Sequence, residues 1–251
     1  MQFFSYLING ISLGSVYALI ALGYTMVYGI AKMLNFAHGD VIMIGSYVVY
    51  FAFGASGLNP VLSIVLSMIV CTILGVVIER LAYRPLREAP SLAVLITAIG
   101  VSYLLQQVAQ LSWSSNPKSF TSVVSGMKPV SLFGGQLTIS AETIVTILAC
   151  VVIMVVLMWF VNYTPAGHAM LAVSEDRGAA QLMGVNVNGT ISLTFAIGSA
   201  LAAIAGALLC SSYPTLQPTT GAMPGIKAFV AAVFGGIGSI PGAFVGGILL
   251  G

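Results

Sequence analysis

Apolar runs of about twenty residues recur along this chain with almost no charge inside them, and nothing else limits its fold so strongly. A helix of that length crosses about 30 Å of hydrocarbon and satisfies its own backbone hydrogen bonds on the way. The runs lie at 3–30, 40–54, 61–80, 91–111, 140–162, 191–213 and 222–236, and another opens at Pro241. Only 6% of the 251 residues are charged and 59% are hydrophobic, where a soluble domain carries about a quarter charged residues. The chain is therefore an integral membrane protein, and no ten-residue alternation suggests a barrel. The expected fold is all-α: one polytopic transmembrane helical bundle over 1–251, with about 7–8 membrane segments.

Two of the segments are unusual. The one after Asn35 is short for a full crossing, and the one after Met223 is Gly-rich and carries Lys227. Either can be a broken or re-entrant helix lining a cavity. The first run lacks a basic leader and a small-residue cleavage site, so it is expected to stay as a span. The last run stops at Gly251 after about ten residues, too few to cross, which suggests a C-terminal truncation or completion by a partner.

Charge sets the orientation. The short connection 79–88, ERLAYRPLRE, carries Arg80, Arg84 and Arg87 and is expected to be cytoplasmic. Alternation from that anchor puts Lys32 and the 163–190 loop inside as well, and puts 112–139 outside, with Lys118 and Lys128. The outer loop, rich in Ser, Gly and Pro, is expected to lie extended on the surface. It serves either as a docking face for an extracytoplasmic partner or as a solvated connector. Small residues repeat at helix-packing spacing: Gly10 with Gly14, Gly198 with Ala202 and Gly206, and Gly238 with Gly242 and Gly246. Close packing within the bundle is the default reading of such spacing, and a dimer interface the sharper one.

Several chemistries lack their residues. No GxxxxGK[ST] phosphate loop occurs, so this chain does not hydrolyse ATP by itself. His38 and His168 are far apart in sequence, without HExxH or Cys/His spacing, so no metal site is expected. Cys71, Cys150 and Cys210 fall within apolar runs, where small apolar fillers are the plain reading. Asp40, Glu79 and Glu142 sit at predicted span ends, close to water, whereas an ion-coupled carrier needs a deeper ionisable group. A net charge of +2, without a basic face, gives no reason to expect nucleic acid.

Two polar stretches stand out. In 34–40, LNFAHGD, Asn35 can cap a helix whose first turn carries Asp40. Asn35, His38, Gly39 and Asp40 then either line a pathway, with free backbone N–H groups facing a carboxylate, or form a capped helix start at the cytoplasmic surface. In 163–190, Thr164-Pro165 starts one short helix. A second is expected from Ser174, with Glu175 and Asp176 at its positive end and Gly184 closing it. Ala172, Val173, Asp176, Ala180 and Met183 recur at helical spacing, a stripe suited to a protein groove or to lipid. The acidic pair argues against an anionic membrane surface and for a protein partner.

Three motifs carry a family resemblance: GISLGSVYALIALGYTMVYGIAKMLNFAHGD at 10–40, GHAMLAVSEDRGAAQLMGVNV at 167–187 and MPGIKAFVAAVFGGIGSIPGAFVGGILLG at 223–251. Together they resemble the permeases of bacterial branched-chain amino-acid ABC importers, of the LivH type, in the inner membrane. The resemblance implies two cytoplasmic ATP-binding subunits that carry the ATP and magnesium, since this chain binds no cofactor. It also implies a second permease, expected to be a different chain, and a periplasmic amino-acid-binding protein. Gly167, Asp176, Arg177, Ala180 and Gly184 would then form the ATPase-coupling element. Permeases for urea and short amides share this layout, and a self-sufficient secondary carrier would share the span count.

Overall fold

The computed structural model describes residues 2–124, 129–132 and 137–251. Lys128, assigned above to the outer loop, lies outside them. In chain order the helices are α1 (Gln2–Ala31), α2 (His38–Val49), α3 (Pro60–Ile78), α4 (Ser91–Trp113) and α5 (Ala141–Tyr163), then α6 (Pro165–Glu175), α7 (Arg177–Leu182), α8 (Val187–Ser212), α9 (Ala222–Phe234) and α10 (Ile240–Leu250). α2 and α3 each run on into a π-helical turn, at Tyr50–Ala55 and Glu79–Tyr83. Among the described residues, five helices are long and apolar enough to cross a membrane: α1, α3, α4, α5 and α8. The chain is a helical membrane bundle.

Burial sorts the five. In α1 and α8, 83% and 72% of the most apolar stretch is buried, against 28%, 17% and 22% in α3, α4 and α5. α1 and α8 therefore form the centre, and the other three turn Val, Leu and Ile side chains outward, as lipid-facing helices do. Close approach at the centre depends on small residues. A Cβ on Gly198 would press on the Gly23 carbonyl, and one on Gly206 on the Ile42 carbonyl. The glycine spacing thus serves contacts within this chain, as in tightly packed membrane helices generally.

α9 and α10 are apolar but shorter than the five spans. α9 starts where Gly221 and Gly225 meet Gly39 at the start of α2, and its far end lies where Gly235 meets Gly242 of α10. α10 then returns along α1, with Gly247 against Ala18 and Ile248 against Gly14. α2 is likewise a partial helix. It begins part-way along α1, with the His38 ring 4.7 Å from that of Tyr24. From there it climbs beside α8 and α3, where Cys71 Sγ donates to the Val41 carbonyl and the Ser67 hydroxyl to the Gly45 carbonyl.

The outer loop differs from the surface-lying expectation. α4 extends to Trp113, Phe120 and Val124 are buried, and β1 (Lys118–Ser119) pairs with β4 (Thr215–Leu216). A second short antiparallel pair joins β2 (Val130–Leu132) to β3 (Leu137–Ile139). The apolar residues near 120 have a buried pocket to fill under Tyr47 and Leu216, so the loop tucks in. The three cysteines are buried and free.

Candidate functional site

The elbow formed by α6 and α7 follows from three local features. Thr164 caps α6, its hydroxyl accepting from Gly167 N at 3.0 Å, with Pro165 in the first turn where its missing N–H costs nothing. Gly167 lies against the end of α5, where a Cβ would meet the Phe160 and Val161 carbonyls, so only glycine lets α6 fold back so tightly. Asp176 caps α7, accepting from Gly178 N at 2.7 Å and Ala179 N at 3.0 Å, and Gly184 ends the segment at φ +85°. The expected helix start at Ser174 is thus displaced. Ser174 belongs to the last turn of α6, its hydroxyl bonded to the Leu171 carbonyl, and the Asp176 carboxylate is the stronger cap for the next helix.

The apolar stripe divides between two faces. Val173 and Ala180 are buried against the bundle, while Leu182 and Met183 are 90% and 85% exposed. Ala180 therefore anchors the elbow, and the outward surface is made by Asp176, Gln181, Leu182, Met183 and Gly184. Arg177 holds the elbow to the core of the bundle. Its guanidinium donates to the carbonyl of Ala31, in the last turn of α1. Burial, and then the neighbouring Arg87, lower the Arg177 pKa from its ordinary value, yet a guanidinium remains a cation at neutral pH.

A second cluster lies beside it, and the sequence reading missed it. Glu79 is fully buried rather than close to water. It accepts from Arg87 and, at 2.6 Å, from the Ser192 hydroxyl, while Arg87 also donates to Asn188. One carboxylate thereby joins the end of α3, the connection to α4 and the start of α8. The signal was present: Glu79 opens a connection with three arginines and has to be paired once an apolar helix carries it inside.

The 34–40 stretch also behaves differently. α2 is preceded by Ala37 with no side-chain cap, because the Asn35 oxygen accepts instead from the Tyr83 hydroxyl at 2.9 Å. His38 and Asp40 are 1% and 2% exposed, and Asp40 accepts from Gln106 of α4 at 2.9 Å. Among the described residues, neither His38 ring nitrogen has a hydrogen-bond partner. Asp40 therefore sits well inside the bundle and not at a span end, because the re-entrant path of 32–37 carries α2 inward before it begins. Gly39 touches Gly221 so closely that a Cβ on either would strike the other's carbonyl. Asn35 borders a pocket of about 10 Å³ together with Tyr24 and Phe229. Gln106, Tyr83 and Gly221 are the partners that sequence reasoning did not name.

Three of the five cations assigned above to the inside meet in space. Lys32, Arg87 and Arg177 border one cavity at the α6–α7 end, while Lys118 lies over the Tyr50 ring at the other. Near that second end, between α1, α5 and α8, is a cavity of about 500 Å³ with Asn9, Ser12, Glu142, Thr143 and Ser211 on its walls.

Comparison with known proteins identifies the family. The family model described as "Branched-chain amino acid transport system / permease component" matches residues 6–251. The chain is 46% identical over 257 residues to the high-affinity branched-chain amino acid transport system permease protein BraD of Pseudomonas aeruginosa, covering 98% of this chain and 83% of that one. It is 44% identical over 264 residues to the corresponding LivH of Escherichia coli, covering 100% of this chain and 84% of the relative. A probable LivH from Methanocaldococcus jannaschii is 32% identical, over 93% of this chain and 74% of its own length. No solved structure matches the chain. The chain therefore belongs to the family of permease components of branched-chain amino acid transport systems.

Proposed function

We propose that this chain is one membrane half of an ATP-driven importer for leucine, isoleucine and valine. Substrate reaches its outer face from a periplasmic binding protein. Two cytoplasmic ATPase subunits, which carry ATP and magnesium, dock on its inner face, and a second permease, a different chain, completes the pathway. The whole bundle then makes seven or eight membrane segments, with α2 and α9 as the broken ones. Support for the substrate comes from relatives named as branched-chain amino acid permeases at 44–46% identity over nearly the full chain. The missing phosphate loop supports ATP hydrolysis on separate subunits.

The observation that carries the mechanism is the α6–α7 elbow. Its outward surface has exposed Leu182 and Met183, and its inner side is joined through Arg177 to the end of α1. ATPase closure displaces the elbow, α1 moves with it, and α9 and α10, packed along α1, follow. Asn35, His38, Gly39 and Asp40 line the path only when α2 and α9 part at the Gly39–Gly221 contact. Uptake by cells tests the energy source. With ATP held constant, collapse of the proton gradient should leave leucine uptake intact, and loss of the ATPase subunits should abolish it; the opposite pattern would make the chain a self-sufficient carrier.

A further inference from the structure

The cavity bordered by Lys32, Arg87 and Arg177 has a volume of about 400 Å³ and lies at the end of the bundle that carries the arginine-rich connection. Among the described residues, two of these three cations have no carboxylate partner: the salt bridge in the cluster is Arg87 with Glu79, and Arg177 is bonded to a backbone carbonyl. Arg87 and Arg177 are near enough to repel each other, and Arg87 Nε is buried without a hydrogen-bond partner. The first turn of α4 supplies one wall, through Ser91 and Val94, and Tyr28, Met33 and Leu34 supply another. That helix is preceded by Pro90 and has no side-chain cap, so its positive end faces the same space uncompensated. Three cations and an uncapped end of a long helix describe an anion site.

The surroundings identify the anion's source. The same helix turns an apolar strip outward: Leu92, Ile96 and Ile99 of α4, about a third of a turn round from Ser91, are 64%, 61% and 41% exposed, and α4 is the least buried of the five spans. A phospholipid held by its phosphate beside Ser91 would pass its acyl chains round the exposed first turn of α4, over Ser91 and Leu92, to reach that strip. An inorganic ion would leave the strip unused, and a soluble partner would not reach below the headgroup level to cover it.

We propose that this cavity binds the phosphate headgroup of one anionic phospholipid of the cytoplasmic leaflet, with its chains lying along α4. Bound there, the lipid bridges Lys32 and Arg177 and so braces the joint between α1 and the elbow. The proposal does not depend on the transported substrate or on the ATPase partner.

The test is native mass spectrometry of the purified full chain in neutral detergent, incubated with phosphatidylglycerol, with phosphatidylcholine or with inorganic phosphate alone. One phosphatidylglycerol should be retained in preference to phosphatidylcholine, and millimolar phosphate should not displace it. Lys32→Gly should lower retention about fivefold, and adding Arg177→Gln should take the loss to about twentyfold. Lys32 has a left-handed backbone, φ +52°, which glycine adopts readily, so this variant should fold even if the double variant does not. Equal retention of the two lipids, or full retention by Lys32→Gly, would overturn the proposal. Displacement by phosphate alone would also overturn it, in favour of a free-anion site.

Discussion

The Arg177 guanidinium donates to the carbonyl of Ala31, joining residues 146 apart in sequence and fastening the first turn of α7 to the last turn of α1. A helix end has carbonyls without intrahelical partners, and a cation is favoured there both as donor and as charge. The elbow is thus tied to the most buried of the five spans.

Arg177→Ala should loosen the joint, with a charge-assisted bond of about 2 kcal/mol lost, while α6 keeps its Thr164 cap. Uptake in membrane vesicles should fall at least tenfold while ATP hydrolysis by the assembled complex persists. Arg177→Lys, which can reach the same carbonyl as a point charge, should recover part of the uptake. A parallel loss of hydrolysis and uptake would mean that the residue acts in assembly and not in transmission.

Glu79→Gln should be strongly destabilising, because it leaves the buried Arg87 guanidinium without its counter-charge; one-sided loss of a buried pair typically costs about 3–5 kcal/mol. The double variant Glu79→Gln with Arg87→Gln should regain most of the thermal stability in detergent. If the single and double variants melt together, the pair contributes nothing measurable.

The α2–α9 crossing makes a further prediction. Gly39→Ala or Gly221→Ala puts a methyl against the other residue's carbonyl and should cost about 1–3 kcal/mol of stability together with uptake. Gly100→Ala, on α4, meets nothing within 4 Å and serves as the control, with the melting temperature unchanged or slightly raised. Tolerance of alanine at both Gly39 and Gly221 would show that the crossing is not closely packed in the membrane.

The spans were legible because lipid demands long apolar helices, and each predicted run falls on a helix with ends shifted by a few residues. The Thr164 and Gly184 boundaries of the elbow were legible for the same kind of reason, as their chemistry is local. Contacts between distant residues were not. Asn35 looked like a cap because caps are local, yet Tyr83, 48 residues on, takes its oxygen. Asp40 and Glu79 looked superficial because sequence shows distance along the chain and not depth, and both are buried with partners from other helices. Ala180 looked like part of a docking stripe, since helical spacing does not say which side of the stripe another segment of the same chain will cover.

Leu182 and Met183 project from the elbow without contributing to the core, so Leu182→Ser with Met183→Ser should change the stability by no more than about 0.5 kcal/mol. Uptake should fall several-fold, since both apolar side chains would be lost from a partner's groove. Unchanged uptake would move the docking surface elsewhere on the inner face.

The most direct measurement of the central claim uses Leu182→Cys in the assembled transporter, where the native Cys71, Cys150 and Cys210 are buried and free and give little background. A short bifunctional maleimide should cross-link position 182 to an ATPase subunit, and the cross-linked complex should lose ATP-driven uptake. A cysteine at 182 that reacts freely with a soluble maleimide throughout the ATP cycle, yields no cross-link and leaves uptake intact would contradict the assignment of the elbow as the point where the ATPase acts.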